Sequence, residues 1–161
     1  DRESDMEINV YNASNKLESY VFNAVEFAMT KFFNLDELED ISVDVDFTDL
    51  DVEGHCIDGG DGDFSIEVQK GLPMWEKMIV LMHELVHMKQ HIAGELDFGG
   101  LIIDKDGLKC KMTTWMGEEF DEDGTDYFDR PWEIEAFGRQ LGLFIRWVED
   151  IGEGHHKKWQ V

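Results

Sequence analysis

Cysteine, proline and cationic side chains are all scarce in this chain of 161 residues. Cys56 and Cys110 are its 2 cysteines, too few for a disulfide framework. Their spacing matches no zinc knuckle, which needs closely spaced pairs. Two reduced thiols, as in a cytosolic-type protein, are therefore expected. The 2 prolines, Pro73 and Pro131, both stand where a helix should begin, so no Pro-rich linker divides the chain. Lys and Arg number 14 against 37 Asp and Glu, a formal charge of −23. Phosphate binding needs clustered cations, so nucleic acid is excluded as the main partner. Docking on an anionic membrane is excluded for the same reason. No run of about 18 apolar residues occurs, so no membrane-spanning segment is expected. Asp1-Arg2-Glu3-Ser4-Asp5 lacks the apolar core of a signal peptide. The acidity serves solubility first, and its sharper consequence is attraction of basic ligands or divalent cations.

Enough apolar material remains to build a core: 42% of residues are hydrophobic and 12% aromatic. One domain over residues 1–151 is expected, followed by a polar, loose tail over 152–161. Leu17, Val21, Ala24, Val25, Ala28 and Phe32 recur at helical spacing, which predicts a first helix over Ser14 to Asn34 with Ser14 as its cap. Ile41 to Phe47 alternates apolar and polar, as a half-buried strand does. A hairpin follows, from Gly54–Asp58 through Gly59-Gly60-Asp61-Gly62 to Phe64–Gln69. A second helix runs from Pro73 to about Ala93, where Gly94 can end it. Another hairpin joins Leu101–Ile103 to Leu108–Trp115 across Asp104-Lys105-Asp106-Gly107. An acidic loop covers Glu118 to Asp129, and a third helix opens at Pro131 and reaches about Asp150. The expected fold class is α+β, with three main helices packed on a small, mostly antiparallel sheet.

The chemistry concentrates in His83-Glu84-Leu85-Val86-His87. Four-residue spacing on a helix puts both imidazoles on one face, one turn apart, where they can grip one zinc ion. Glu84 projects near the same open position and can take a proton from water there. The helix is otherwise apolar, through Met78, Ile79, Leu81, Met82, Leu85 and Val86. Burying two His and a Glu among such residues is costly unless they are paired or bound to metal. A catalytic zinc wants a third protein ligand. The segment Arg130-Pro131-Trp132-Glu133-Ile134-Glu135-Ala136-Phe137 offers two carboxylates in the first turns of a helix. Residues two apart differ by about 200° around a helix, so Glu133 and Glu135 cannot both face one ion.

With this context the chain resembles the phage metallopeptidase domain family of the zincin superfamily. The residues that carry the resemblance are His83-Glu84-Leu85-Val86-His87-Met88-Lys89-Gln90, Glu95-Leu96, Trp115-Met116-Gly117, Tyr127 and Pro131-Trp132-Glu133-Ile134-Glu135-Ala136. They span about Pro73 to Trp147. The resemblance implies a zincin-like fold and a zinc metalloendopeptidase with His83, His87 and Glu133 as ligands. Glu133 is favoured over Glu135 because related enzymes present the ligand as Glu-x-x-Ala or Glu-x-x-Ser. Many of them carry an Asp straight after, to orient a ligand His. This chain has Phe137, so that support must come from elsewhere.

The same resemblance implies a peptide or protein substrate lying along an edge strand, for which Phe64–Gln69 is the candidate. The acidity suggests that the substrate is basic. A setting in host cytoplasm or virion, with other phage proteins as partners, also follows from the resemblance alone. Glu84 would act as general base and then proton donor. Tyr127 or Arg130 could donate to the oxyanion of a tetrahedral intermediate. The alternative is a phage structural or assembly protein that keeps a zinc site without turnover. Intact Glu84 weighs against it, as does a ligand count of three, because structural sites are normally closed by four.

Further candidates weigh less. His91 extends the His83–His87 face, but eight residues are about 12 Å of rise, too far for one ion; it reads as a rim or surface group. Asp58–Asp63, Asp104–Gly107 and Asp121–Gly124 are acidic turns without the full calcium-loop spacing. His155-His156 reads as polar surface.

Overall fold

The computed structural model describes residues 6–103, 107 and 109–153. The turn Asp104–Asp106, Leu108, the Cys110 side chain and His155-His156 lie outside the described part. Helix α1 (Asn15–Phe32) begins where Ser14 Oγ accepts the Leu17 N–H at 3.2 Å. Its buried face is Leu17, Tyr20, Val21, Ala24, Val25, Ala28 and Met29, the expected helical repeat. Strand β1 (Glu7–Tyr11) precedes it, and β2 (Ser42–Thr48), β3 (Gly54–Asp58) and β4 (Asp63–Gln69) follow.

These strands form one sheet in the order β1-β2-β4-β3. β1 runs parallel to β2, β2 runs parallel to β4, and β3 runs antiparallel to β4. Val43, Val45 and Phe47 of β2 sit in register with Phe64, Ile66 and Val68 of β4, and all six are buried. The alternation turns Asp44, Asp46, Ser65 and Glu67 to the opposite, wetter face. Two expectations are corrected here. This sheet is mixed, not mostly antiparallel, because α1 crosses over between β1 and β2 and so makes them parallel. Residues 64–69 are also not an edge: β4 inserts between β2 and β3, leaving β3 at the border.

Helix α2 (Met74–Ile92) lies against the sheet, α1 and α3. Every residue from Leu81 to Gln90 is buried, so α2 is covered all round rather than amphipathic. It ends where Gly94 adopts φ +73°. A second, antiparallel sheet of β5 (Leu96–Ile103), β6 (Lys109–Trp115) and β7 (Glu118–Asp121) follows. Strand β7 occupies part of the stretch expected as an acidic loop. Met116 and Gly117, at φ +51° and +83°, make the two-residue turn that pairs β6 with β7.

Helix α3 (Pro131–Asp150) docks on α2 with Pro131 in its first turn. Buried Trp132 meets Trp115 and Phe120 of the second sheet at 6.5 and 5.8 Å between ring centroids. The architecture is α+β, with three helices, a mixed four-stranded sheet and a small antiparallel sheet. Among the described residues, no helix is long and apolar enough to cross a membrane.

Candidate metal centre

Four-residue spacing on α2 stacks the rings of His83 and His87 with centroids 4.9 Å apart. The first turn of α3 brings Glu133 to both. Glu133 Oε1 lies 3.0 Å from His83 Nε2 and 3.1 Å from His87 Nε2. All three residues are buried, and their ligand atoms lie within 4.8 Å of one another. Ligands at about 2.0–2.1 Å from a tetrahedral ion stand about 3.3 Å apart, so small adjustments would seat an ion. Glu135 faces elsewhere. It bonds Lys89 Nζ at 2.8 Å, Gln90 Nε2 at 2.9 Å and Arg139 Nε at 2.9 Å. Fully buried Ala136 leaves room for the two helices to approach.

The proton inventory tests whether a cation belongs here. Gln90 Nε2 donates to the Trp132 carbonyl at 3.0 Å and to Glu135 Oε1 at 2.9 Å. Its Oε1 must therefore be the atom facing His87 Nδ1 at 2.8 Å. His87 donates through Nδ1, which leaves Nε2 as a lone pair aimed at a carboxylate oxygen. His83 Nδ1 likewise faces Gln140 Oε1 at 2.8 Å, with Nε2 turned to Glu133. Two lone pairs and a carboxylate converge, and a proton or a metal ion must sit among them. Burial would lower the His87 pKa, but its bond to Glu133, the charges of Glu133 and Glu84 and the Gln90 bond together raise it. Burial would raise the Glu133 carboxyl, yet the bonded His83 and His87 rings hold it down to about 2. A divalent cation would replace the shared proton with a stronger charge. The buried group of His83, His87 and Glu133 could hold a metal ion.

The centre forms one wall of a cleft of about 690 Å³ between α2, β3 and the start of α3. Glu84 lines it, and burial raises its carboxyl while His87 and His83 partly offset that rise. Gly54 lets β3 come close: a Cβ there would stand 2.7 Å from Val80 Cγ1 and 3.4 Å from Glu84 Oε2. Hydrogen bonds from Gln69 N–H to Glu53 O and from Gly59 N–H to Asp63 O, each 2.8 Å, bracket the β3–β4 ladder. Antiparallel alternation then turns the backbone groups of Gly54 and Cys56 to the unpaired side of β3, and both residues line the cleft.

The remaining sequence candidates fall as follows. Tyr127 reaches the centre and donates its hydroxyl to Glu133 Oε1 at 3.0 Å. Burial and the Glu133 charge push that hydroxyl up, so it stays protonated. Arg130 lines the cleft, but Nε and one terminal nitrogen hold the Thr125 and Glu122 carbonyls at 3.1 and 2.7 Å. His91 is no surface group, since its side chain is 3% exposed. Phe137 packs its ring 4.5 Å from that of His83.

Gln90 and Gln140, which orient the two imidazoles, were missed in the sequence. Gln90 is three residues from His87, a spacing that could have flagged it. Gln140 is 57 residues from His83, and only the α2–α3 packing joins them. No family model, curated protein or solved structure matches the chain, so the site's own chemistry carries the functional reading.

Proposed function

We propose that this chain is a zinc-dependent metallopeptidase-like protein that hydrolyses peptide bonds, with the zincin-like fold and phage-family membership that its motifs resemble. One observation supports this most: the converging ligand atoms of two imidazoles and a carboxylate stand beside a buried glutamic acid in an open cleft. His83, His87 and Glu133 would hold the ion. Bound zinc would polarise the scissile carbonyl and lower the pKa of a water beside it. Glu84, its carboxyl raised by burial, accepts a proton at a carboxylate oxygen and returns it to the leaving amine. Tyr127, on the cleft wall with its hydroxyl on Glu133, would turn that donor to a developing oxyanion. The unpaired side of β3 offers the backbone groups of Gly54 and Cys56 to an extended peptide.

Glu84 separates this reading from a non-catalytic zinc protein, because a site that only stabilises needs no base. Glu84→Gln should keep stoichiometric zinc and the fold while losing hydrolysis by about 10²–10⁴-fold. Metal analysis, thermal melting and a peptide-library digest read the three quantities. Hydrolysis undiminished in Glu84→Gln, or a parent protein that binds no zinc, sinks the proposal.

A further inference from the structure

A second chamber of about 410 Å³ opens beside the metal cleft and shares Cys56, His91 and Phe98 with it. Asp58 and Asp97 also line it. His91 Nδ1 lies 3.2 Å from the Leu96 carbonyl. A carbonyl only accepts, so the ring proton sits on Nδ1 and Nε2 is an acceptor. That Nε2 is buried and has no hydrogen-bond partner among the described residues. Such a nitrogen calls for a donor. The residues lining the chamber thus include His91, whose buried Nε2 has no partner among the described residues, and two carboxylates, with the Phe98 ring 5.3 Å from that of His91.

A metal ion suits this arrangement poorly. Among the described residues, only His83, His87 and Glu133 bring three ligand atoms close enough for one ion. Acceptors spread along a chamber suit a long cation with several donors, whose methylene stem can lie on an aromatic wall.

We propose that this chamber is a specificity subsite for a basic side chain of the substrate, arginine or lysine. The inference rests on the peptidase reading and names the substrate class for that cleft. His91 is one helical turn from His87, about 6 Å of rise. That distance matches about two residues of extended chain. The subsite therefore takes a side chain about two residues from the scissile bond. The formal charge of −23 draws the same ligands toward the protein.

The test uses the full chain as zinc-loaded Glu84→Gln, which holds substrate without turnover. Labelled alanine-rich peptides that differ at one position, Arg, Lys, Glu or norleucine, are titrated by fluorescence anisotropy at low salt. Charge-assisted hydrogen bonds should make the Arg and Lys peptides bind about tenfold tighter than the norleucine peptide. Equal gains for Arg and Lys identify a point charge as the ligand, and a larger gain for Arg identifies the planar guanidinium. Adding Asp97→Asn, at an exposed position, should shrink the preference with zinc content unchanged; His91→Phe should do the same. Norleucine binding as tightly as Arg overturns the subsite. So does a preference that survives Asp97→Asn, or the absence of measurable binding by any peptide. Digestion of the same peptides by the parent keeps the two ideas apart. Cleavage without basic preference leaves the peptidase and removes the subsite. Basic preference in binding, with no cleavage, leaves the subsite and removes the peptidase.

Discussion

Two polar clusters lie between α2 and α3, and each is built around a buried or half-buried glutamate. Around Glu135, donors and acceptors are matched. Lys89 Nζ bonds both Glu135 and Glu95 at 2.8 Å, while Gln90 and Arg139 complete the carboxylate's partners. Around Glu133, two imidazole nitrogens, each with its other ring nitrogen facing a glutamine amide oxygen, meet one carboxylate oxygen, which also accepts the Tyr127 hydroxyl. Both clusters have left water, so both carry a desolvation cost. The first recovers it within the protein. The second recovers it through a proton shared among the rings and the carboxylate, a place that a metal ion could take. Gln90 belongs to both: its amide nitrogen serves Glu135 and its amide oxygen orients His87.

The sharpest way to break this contrast is to remove a ligand. His87→Ala or Glu133→Ala should abolish stoichiometric zinc, with affinity falling more than 100-fold, as competition with a chromogenic chelator would read. Glu135→Ala should leave zinc affinity within about threefold and lower stability by about 1–3 kcal/mol, because Lys89 and Gln90 lose a buried partner. Equal zinc loss in Glu133→Ala and Glu135→Ala would erase the distinction between the clusters.

Chelation of the parent comes next in size. At zinc 100-fold above its dissociation constant, removing the metal should lower stability by about 2.7 kcal/mol, seen as a drop in Tm. Adding a chelator to Glu133→Ala should leave its Tm unchanged.

The orienting amides should give smaller effects. Gln140→Ala and Gln90→Ala should each weaken zinc about 10- to 100-fold. Gln90→Ala alone should also destabilise the zinc-free protein, since it alone spans both clusters. A Gln140→Ala protein that melts earlier but binds zinc normally would assign Gln140 to packing.

Local patterns were legible wherever their cause is local. Ser14 caps α1, Gly94 ends α2, and Val43, Val45 and Phe47 alternate inward. Strand β1 escaped notice because five residues with only Ile8 and Val10 alternating inside carry a weak signal. Missing β1 hid the crossover through α1, and with it the parallel pairing. Strand β7 escaped because Glu118, Glu119 and Asp121 disguise a short edge strand as a loop.

By itself the sequence determined that His83 and His87 share a helix face with Glu84 beside them, because helical geometry converts four-residue spacing into adjacency without any other part of the chain. It determined equally that only one of Glu133 and Glu135 can meet that face. Which one does so was decided by tertiary structure, since the rotation of α3 about its axis is set where Trp132 and Ala136 pack. The same docking brought Gln140 to His83, while the insertion of β4 between β2 and β3 made β3 the border of the cleft. Contacts between residues 46 or more positions apart, from His87–Glu133 to His83–Gln140, depend on how whole elements pack, and no local period encodes that.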